Sequence, residues 1–203
     1  MQLMPLVCFP LQSSERKKPM VKPQVELIDN FLIVWNPTVG SLLFKSGYFG
    51  KPIGISKPKI PEFDVPLILD LMEGLFLAQN NKVEIIQGPN KRKVGLVKLR
   101  NKAKKLYDCF DEKYVVYKDL KNRGLIVTPG IKFGCDFAVY KYGPGIEHAP
   151  YMISVKPEED GITATEIVKA GRLATTVRKR FILAIPDLES GNVKYLIFKW
   201  FKA

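Results

Sequence analysis

Residues 131–152, IKFGCDFAVYKYGPGIEHAPYM, decide how the second half of the chain is read. Ile131–Phe133 and Cys135–Tyr142 have strand character and continue a sheet past Gly134, and Tyr151–Val155 is the next strand. Gly143, Pro144 and Gly145 make the segment between them a loop that can fold Tyr140 toward His148, eight residues on. His148 is the only histidine in 203 residues, so any imidazole chemistry happens there. Imidazole is the side chain best able to give and take a proton near neutral pH. A lone histidine in a Pro/Gly loop also has a purely structural reading, and the residues alone leave both open.

Upstream, Asp111 begins a helix through Tyr114, Tyr117 and Leu120 that Gly124 ends, followed by a strand at Leu125–Thr128 and a Pro129-Gly130 turn. Downstream, Thr163-x-x-Glu166 is a capping-box signature for a helix that weakens at the β-branched pair Thr175-Thr176. Val177–Ile185 reads as a buried strand and Asn192–Phe201 as the closing one.

The first half is less regular. Residues 1–30 read as irregular, with a basic cluster at Arg16, Lys17, Lys18 and Lys22. Phe31–Trp35 reads as a strand, 36–40 as a turn, Ser41–Lys45 as a second strand and 47–61 as loop. A helix is expected to open at Asp64, with Pro66 in its first turn and Leu67, Leu69, Leu71, Leu75 and Leu77 as its apolar content. Lys82–Gln87 reads as a short strand and Lys93–Leu106 as a basic helix. The expected architecture is a small mixed α+β domain over residues 1–107 and an α/β domain with a central mixed sheet over 108–203.

Thirty-two Lys and Arg against 20 acids give a formal charge of +12, which points to an anionic partner, nucleic acid being the commonest for a basic protein. No apolar run reaches about 18 residues, so no membrane span is expected. The opening MQLMPLVCFPLQSSERKKP places its charges after a brief apolar run, the reverse of a secretory signal. Cys8, Cys109 and Cys135 stand far apart without CxxC spacing, which argues against disulfides and zinc and for a cytoplasmic setting. No metal or other cofactor is expected.

Tyr140, His148 and Lys179 are the groups that could carry chemistry. Together they suit RNA cleavage by transesterification: a base takes the 2′-OH proton, an acid protonates the leaving 5′-oxygen, and a cation holds the charge on phosphorus. A tyrosine normally titrates near about 10, so a base role calls for a cation beside it. By itself, Lys179 in RLATTVRKR reads equally as a solvated charge or a phosphate contact.

The runs YVVYKDLKNRGLIVTPGIKFGCDFAVYKYGPGIEHAPYMISV and RLATTVRKRFILAIPDLESGNVKYLIFKW resemble the catalytic subunit of archaeal tRNA-splicing endonuclease over roughly residues 108–201. GYFGKPIGISKPK and the leucine-rich segment after Asp64 are similar to the amino-terminal domain of that family. The resemblance implies a restriction-endonuclease-like catalytic domain over 108–203, with Tyr140 ending the GxDFxVY motif, His148 opening HAPY and Lys179 following VR as its catalytic triad. It also implies cleavage of precursor tRNA at a bulge–helix–bulge, leaving a 2′,3′-cyclic phosphate and a 5′-hydroxyl without metal. Arg172 matches one of two family arginines that clamp a bulge base, and Lys194 stands where the second is expected. The acidic loop with Asp187 and Glu189 is implied to join two dimers, and the amino terminus resembles versions working with a separate structural subunit, in an α2β2 heterotetramer rather than a homotetramer. Three other readings are a non-catalytic structural subunit, a simple RNA-binding protein and a metal-dependent nuclease. The last would use Asp187 and Glu189, but Ser190 and Gly191 follow where its lysine belongs.

Overall fold

In the computed structural model, residues 22–56, 58, 60–176 and 180–197 are described and form two mixed sheets. The chain enters the first through β1 (Gln24–Ile28), which hairpins onto β2 (Phe31–Val34), pairing Glu26 with Ile33. Within this hairpin Val25, Leu27, Leu32 and Val34 alternate into the core. β1 is an addition to the sequence reading, which took residues up to 30 as irregular.

The segment after β2 also departs from expectation. It is a helix, α1 (Pro37–Gly47), where a turn and a strand at Ser41–Lys45 were expected. The Asn36 side chain accepts the N–H groups of Thr38 and Val39, and Pro37 fits the first turn. The Leu42-Leu43-Phe44 run suits either period, and the cap decides it.

The helix expected from Asp64 starts later, because Leu67 and Leu69 lie on a strand. β3 (Lys51–Pro52) pairs with β4 (Leu67–Leu69), and β4 pairs with β2. Only then does α2 (Leu71–Gln79) open at Asp70, whose carboxylate accepts the Glu73 N–H at 2.8 Å while Glu73 accepts the Asp70 N–H at 3.0 Å. Gly74 lets α2 press on β2: a Cβ there would lie 1.9 Å from Leu32 Cδ1. β5 (Glu84–Gln87) runs parallel to β1, and β6 (Arg92–Lys93) folds back on it. That pairing shortens the expected basic helix to α3 (Leu96–Lys104). The sheet order is β3-β4-β2-β1-β5-β6.

The second half follows the sequence reading closely. It comprises α4 (Phe110–Asn122), β7 (Ile126–Pro129), β8 (Phe137–Tyr140), β9 (Tyr151–Val155), α5 (Ala164–Thr176), β10 (Arg180–Pro186) and β11 (Val193–Ile197). The strand order is β11-β10-β9-β8-β7, with β10 parallel to β9 and the other pairs antiparallel. Ile131–Phe133 is a 3₁₀ turn rather than a strand, closed by the Phe133 N–H donating to Gly130 O at 2.8 Å. The capping box forms: the Glu166 N–H donates to Thr163 Oγ1 at 3.2 Å and the Thr163 N–H to Glu166 Oε2 at 2.8 Å. Two stretches of the expected strands, 177–179 and 198–201, lie outside the described residues.

One hydrophobic cluster joins the halves, running from Leu32, Leu75 and Leu77 through Val116, Tyr117 and Leu120 of α4 to Ile153 and Ile182. Polar groups sit at this junction too. Lys121 Nζ donates to Gly47 O at 2.9 Å and lies 4.0 Å above the Phe49 ring. Burial pulls the Lys121 ammonium down to about 8, and burial beside Asp70 pushes the Glu73 carboxyl up to about 8. Among the described residues no helix is long and apolar enough to cross a membrane.

Candidate active site

β8 delivers Tyr140 at its last position, opposite Ile126 of β7. The chain then reverses into β9 through residues 141–150, and the turn is tied across itself. Glu147 Oε1 accepts the N–H groups of Lys141 at 2.5 Å and Tyr142 at 2.6 Å. The Gly143 carbonyl accepts from Ile146 at 3.3 Å and Glu147 at 3.2 Å. Beyond this knot, Ala149 plugs into a small apolar cluster with Cys135, Ala138, Met152, Phe181 and Leu183, against which Tyr140 also packs. His148 stands between the two anchors, Glu147 and Ala149, and is exposed.

Tyr140 and His148 open onto one cleft of about 710 Å³. Its walls come from both halves: Tyr48, Lys51 and Pro52 on one side, and Thr128, Lys132, Tyr140 and His148 on the other. The two walls touch at Gly143, whose φ of +130° is glycine territory and where a Cβ would lie 2.4 Å from Tyr48 Cζ. Tyr48 is itself fixed, with its N–H on Phe44 O at 2.6 Å and its ring 5.1 Å from that of Phe44. The first half therefore braces the loop that presents His148.

The sequence reading missed Tyr48, Lys51 and Lys132 as cleft residues. Tyr48 and Lys51 fall in the GYFGKP run singled out above, but nothing in the sequence places them against residues so distant in the chain. The cleft offers two phenols, an imidazole and two ammonium groups, which suits proton transfer on an anionic substrate. Among the described residues no group of three or more His, Cys, Asp or Glu side chains could hold a metal ion.

None of the remaining expected site residues that the structure describes lines this cleft. Lys179 lies outside the described residues. Arg172 is exposed on α5. Lys194, on β11, is paired with Glu158 at 2.7 Å, which holds its pKa above the usual ammonium value. Asp187 builds the β10–β11 turn by accepting from the Glu189 N–H at 2.9 Å, the Ser190 N–H at 3.2 Å and the Ser190 hydroxyl at 2.5 Å. Those bonds, the Ser190 hydroxyl first, hold its carboxyl below the usual range. Leu188 and Glu189 are exposed at the tip of that turn.

Residues 24–100 match the sequence pattern of the tRNA intron endonuclease N-terminal domain, and residues 110–195 that of its catalytic C-terminal domain. The chain belongs to the tRNA intron endonuclease family. The tRNA-splicing endonuclease of Hyperthermus butylicus is 42% identical over 170 residues, covering 84% of this chain and 93% of the relative. That of Sulfurisphaera tokodaii is 42% identical over 178 residues, 87% of this chain and 98% of the relative. One from Saccharolobus islandicus is 39% identical over 177 residues, 87% and 97% of the two chains. As an endonuclease of this family the chain is placed in tRNA splicing, and the two-sheet α+β architecture accommodates both family domains.

Proposed function

We propose that this chain excises introns from precursor tRNA at bulge–helix–bulge motifs by metal-independent transesterification. Tyr140 takes the proton of the ribose 2′-OH, and the freed oxygen attacks the adjacent phosphorus. His148 gives a proton to the departing 5′-oxygen, and Lys179 stabilises the charge on the non-bridging oxygens. The bonds balance without a second reactant: one P–O bond forms and one breaks, leaving a 2′,3′-cyclic phosphate and a 5′-hydroxyl. The observation that carries this reading is that Tyr140 and His148, from opposite ends of one loop, line a single open cleft with Lys51 and Lys132.

On the same reading the chain divides near residue 107 and acts in the cytoplasm with a structural subunit, as an α2β2 heterotetramer. Arg172 clamps a bulge nucleotide, with Lys194 in the place of a second arginine. β11, an edge strand with Leu196 and Ile197 about half exposed, supplies a surface for pairing between subunits. Glu189, held out by the turn that Asp187 builds, reaches a basic pocket of the neighbouring dimer. The non-catalytic alternative has less support, because Tyr140 and His148 are both present on the cleft.

The test is incubation of the chain, alone and with candidate partner subunits, with a bulge–helix–bulge RNA in EDTA. The expected result is cleavage at both junctions with cyclic phosphate ends. Activity that returns only with magnesium, while the RNA stays folded throughout, contradicts the mechanism.

A further inference from the structure

Residues 91–105, KRKVGLVKLRNKAKK, hold eight cations and no acid, in a chain whose whole formal charge is +12. The fold gathers them onto one surface. Leu99 and Ala103 bury the inner side of α3, so Lys98 and Lys105 face outward, with Lys102 at the flank. Lys98 Nζ reaches back to Gln87 Oε1 at 3.1 Å, and Gln87 pairs with Arg92 across the β5–β6 hairpin. Hairpin and helix thus present a continuous basic face.

Only part of this charge is answered within the molecule. Lys93 pairs with Glu84 at 2.5 Å, and Arg100 and Lys104 share Asp111 at 2.8 and 2.6 Å. Lys91, Arg92, Lys98, Lys102 and Lys105 have no acidic partner among the described residues. Like charges at i and i+4, as at Lys98 and Lys102, disfavour a helix unless something outside it supplies the counter-charge.

Topology says what that something spans. β6 is one edge of the six-stranded sheet and β3, whose Lys51 and Pro52 line the cleft, is the other. Five strand spacings separate them, about 24 Å. A polyanion touching both edges must reach across the whole sheet, well beyond the nucleotides held in the cleft itself.

We propose that this face is a second RNA-backbone site, which holds the phosphates of the substrate's folded body while the cleft acts on the junction. The inference rests on the RNA-cleavage reading above and adds where the uncut part of the substrate lies. Contacts to phosphate by ammonium groups and one guanidinium are sequence-independent and salt-sensitive. Leu96 and Val97 are exposed beside the cations, which makes an acidic protein segment the competing occupant.

The experiment compares the wild-type chain with an Arg92→Glu/Lys98→Glu/Lys105→Glu variant, each with whatever subunit cleavage requires. Binding is measured against salt on a full-length precursor tRNA and on a minimal bulge–helix–bulge RNA. For the full-length RNA, the variant binds at least about tenfold more weakly at about 0.1 M salt, and the log–log salt slope falls by about two to three. The minimal RNA is bound and cut as by the wild type. If the reversal variant does not fold, the Gln triple variant is read for the same loss of slope. An unchanged affinity and slope on the full-length RNA overturns the proposal, as does an equal loss on both RNAs. Loss of subunit assembly with RNA binding intact assigns the face to a protein and likewise overturns it. A wild-type chain that cuts neither RNA is the distinct failure of the RNA-cleavage reading.

Discussion

The helix α2 and the β8–β9 loop are both short, and the chain treats them oppositely. In α2 six of nine residues are buried and even the glycine is chosen for contact, with Leu32 filling the space that a Cβ would need. In the loop His148, Tyr142 and Ile146 are exposed, and the chain is held by Ala149, the Glu147 bonds and the contact of Gly143 with Tyr48. The lesson is a division of labour. Changes in α2 act on the fold, and changes at the loop's ends act on chemistry that a folded protein can lose without unfolding.

The strongest break in that comparison comes from removing reacting groups. Tyr140→Phe and Lys179→Ala are expected to lower the single-turnover cleavage rate by about 10²–10⁴-fold each while sparing RNA binding. Rapid-quench assays at saturating enzyme measure this. A near-normal rate for Tyr140→Phe removes the phenol from the base role.

The same contrast governs how much could be read from sequence. That Tyr140 and His148 meet at one cleft was legible because a Gly-Pro-Gly loop between two strand-like runs leaves few ways to reverse the chain. The helix at Thr163 was legible from its capping box, whose bonds all form locally. The first half resisted because its signals are ambiguous in period. Leu67 and Leu69 fit a helix or a strand, and the choice falls to Asp70 over Asp64 through pairing of β4 with β2. Leu42-Leu43-Phe44 likewise became helical through the Asn36 cap. The brace of Tyr48 on Gly143 joins segments far apart in the chain and left no local trace.

Gly74→Ala sharpens the fold side of the comparison. Leu32 is fully buried and must shift within the core to admit the added methyl, so a loss of about 2 kcal/mol is expected. Denaturant midpoints measure it, and an unchanged midpoint contradicts the close packing of α2 on β2.

A pH-dependent effect concerns Glu73. Its carboxyl titrates at about 8 in the folded chain against 4.5 unfolded, chiefly because burial disfavours the charge. Between those values the folded state keeps a proton that the unfolded state has lost. The contribution of Glu73 is therefore fully present below about 4.5 and is lost progressively as pH rises from there toward 8, by up to about 1.4 kcal/mol per pH unit. Glu73→Gln should flatten that dependence, whatever it does to absolute stability. Urea titrations at pH 5 and pH 8 decide it, and an equal slope in both proteins removes Glu73 as its source.

His148→Ala tests the central claim most directly, since no other imidazole exists in the chain to replace it. Its melting temperature and its single-turnover rate on a bulge–helix–bulge RNA are measured on the same preparation. The account predicts a melting temperature within a degree or two of wild type and a rate at least about 10²-fold lower. A rate near wild type, or a rate loss that only tracks unfolding, contradicts it.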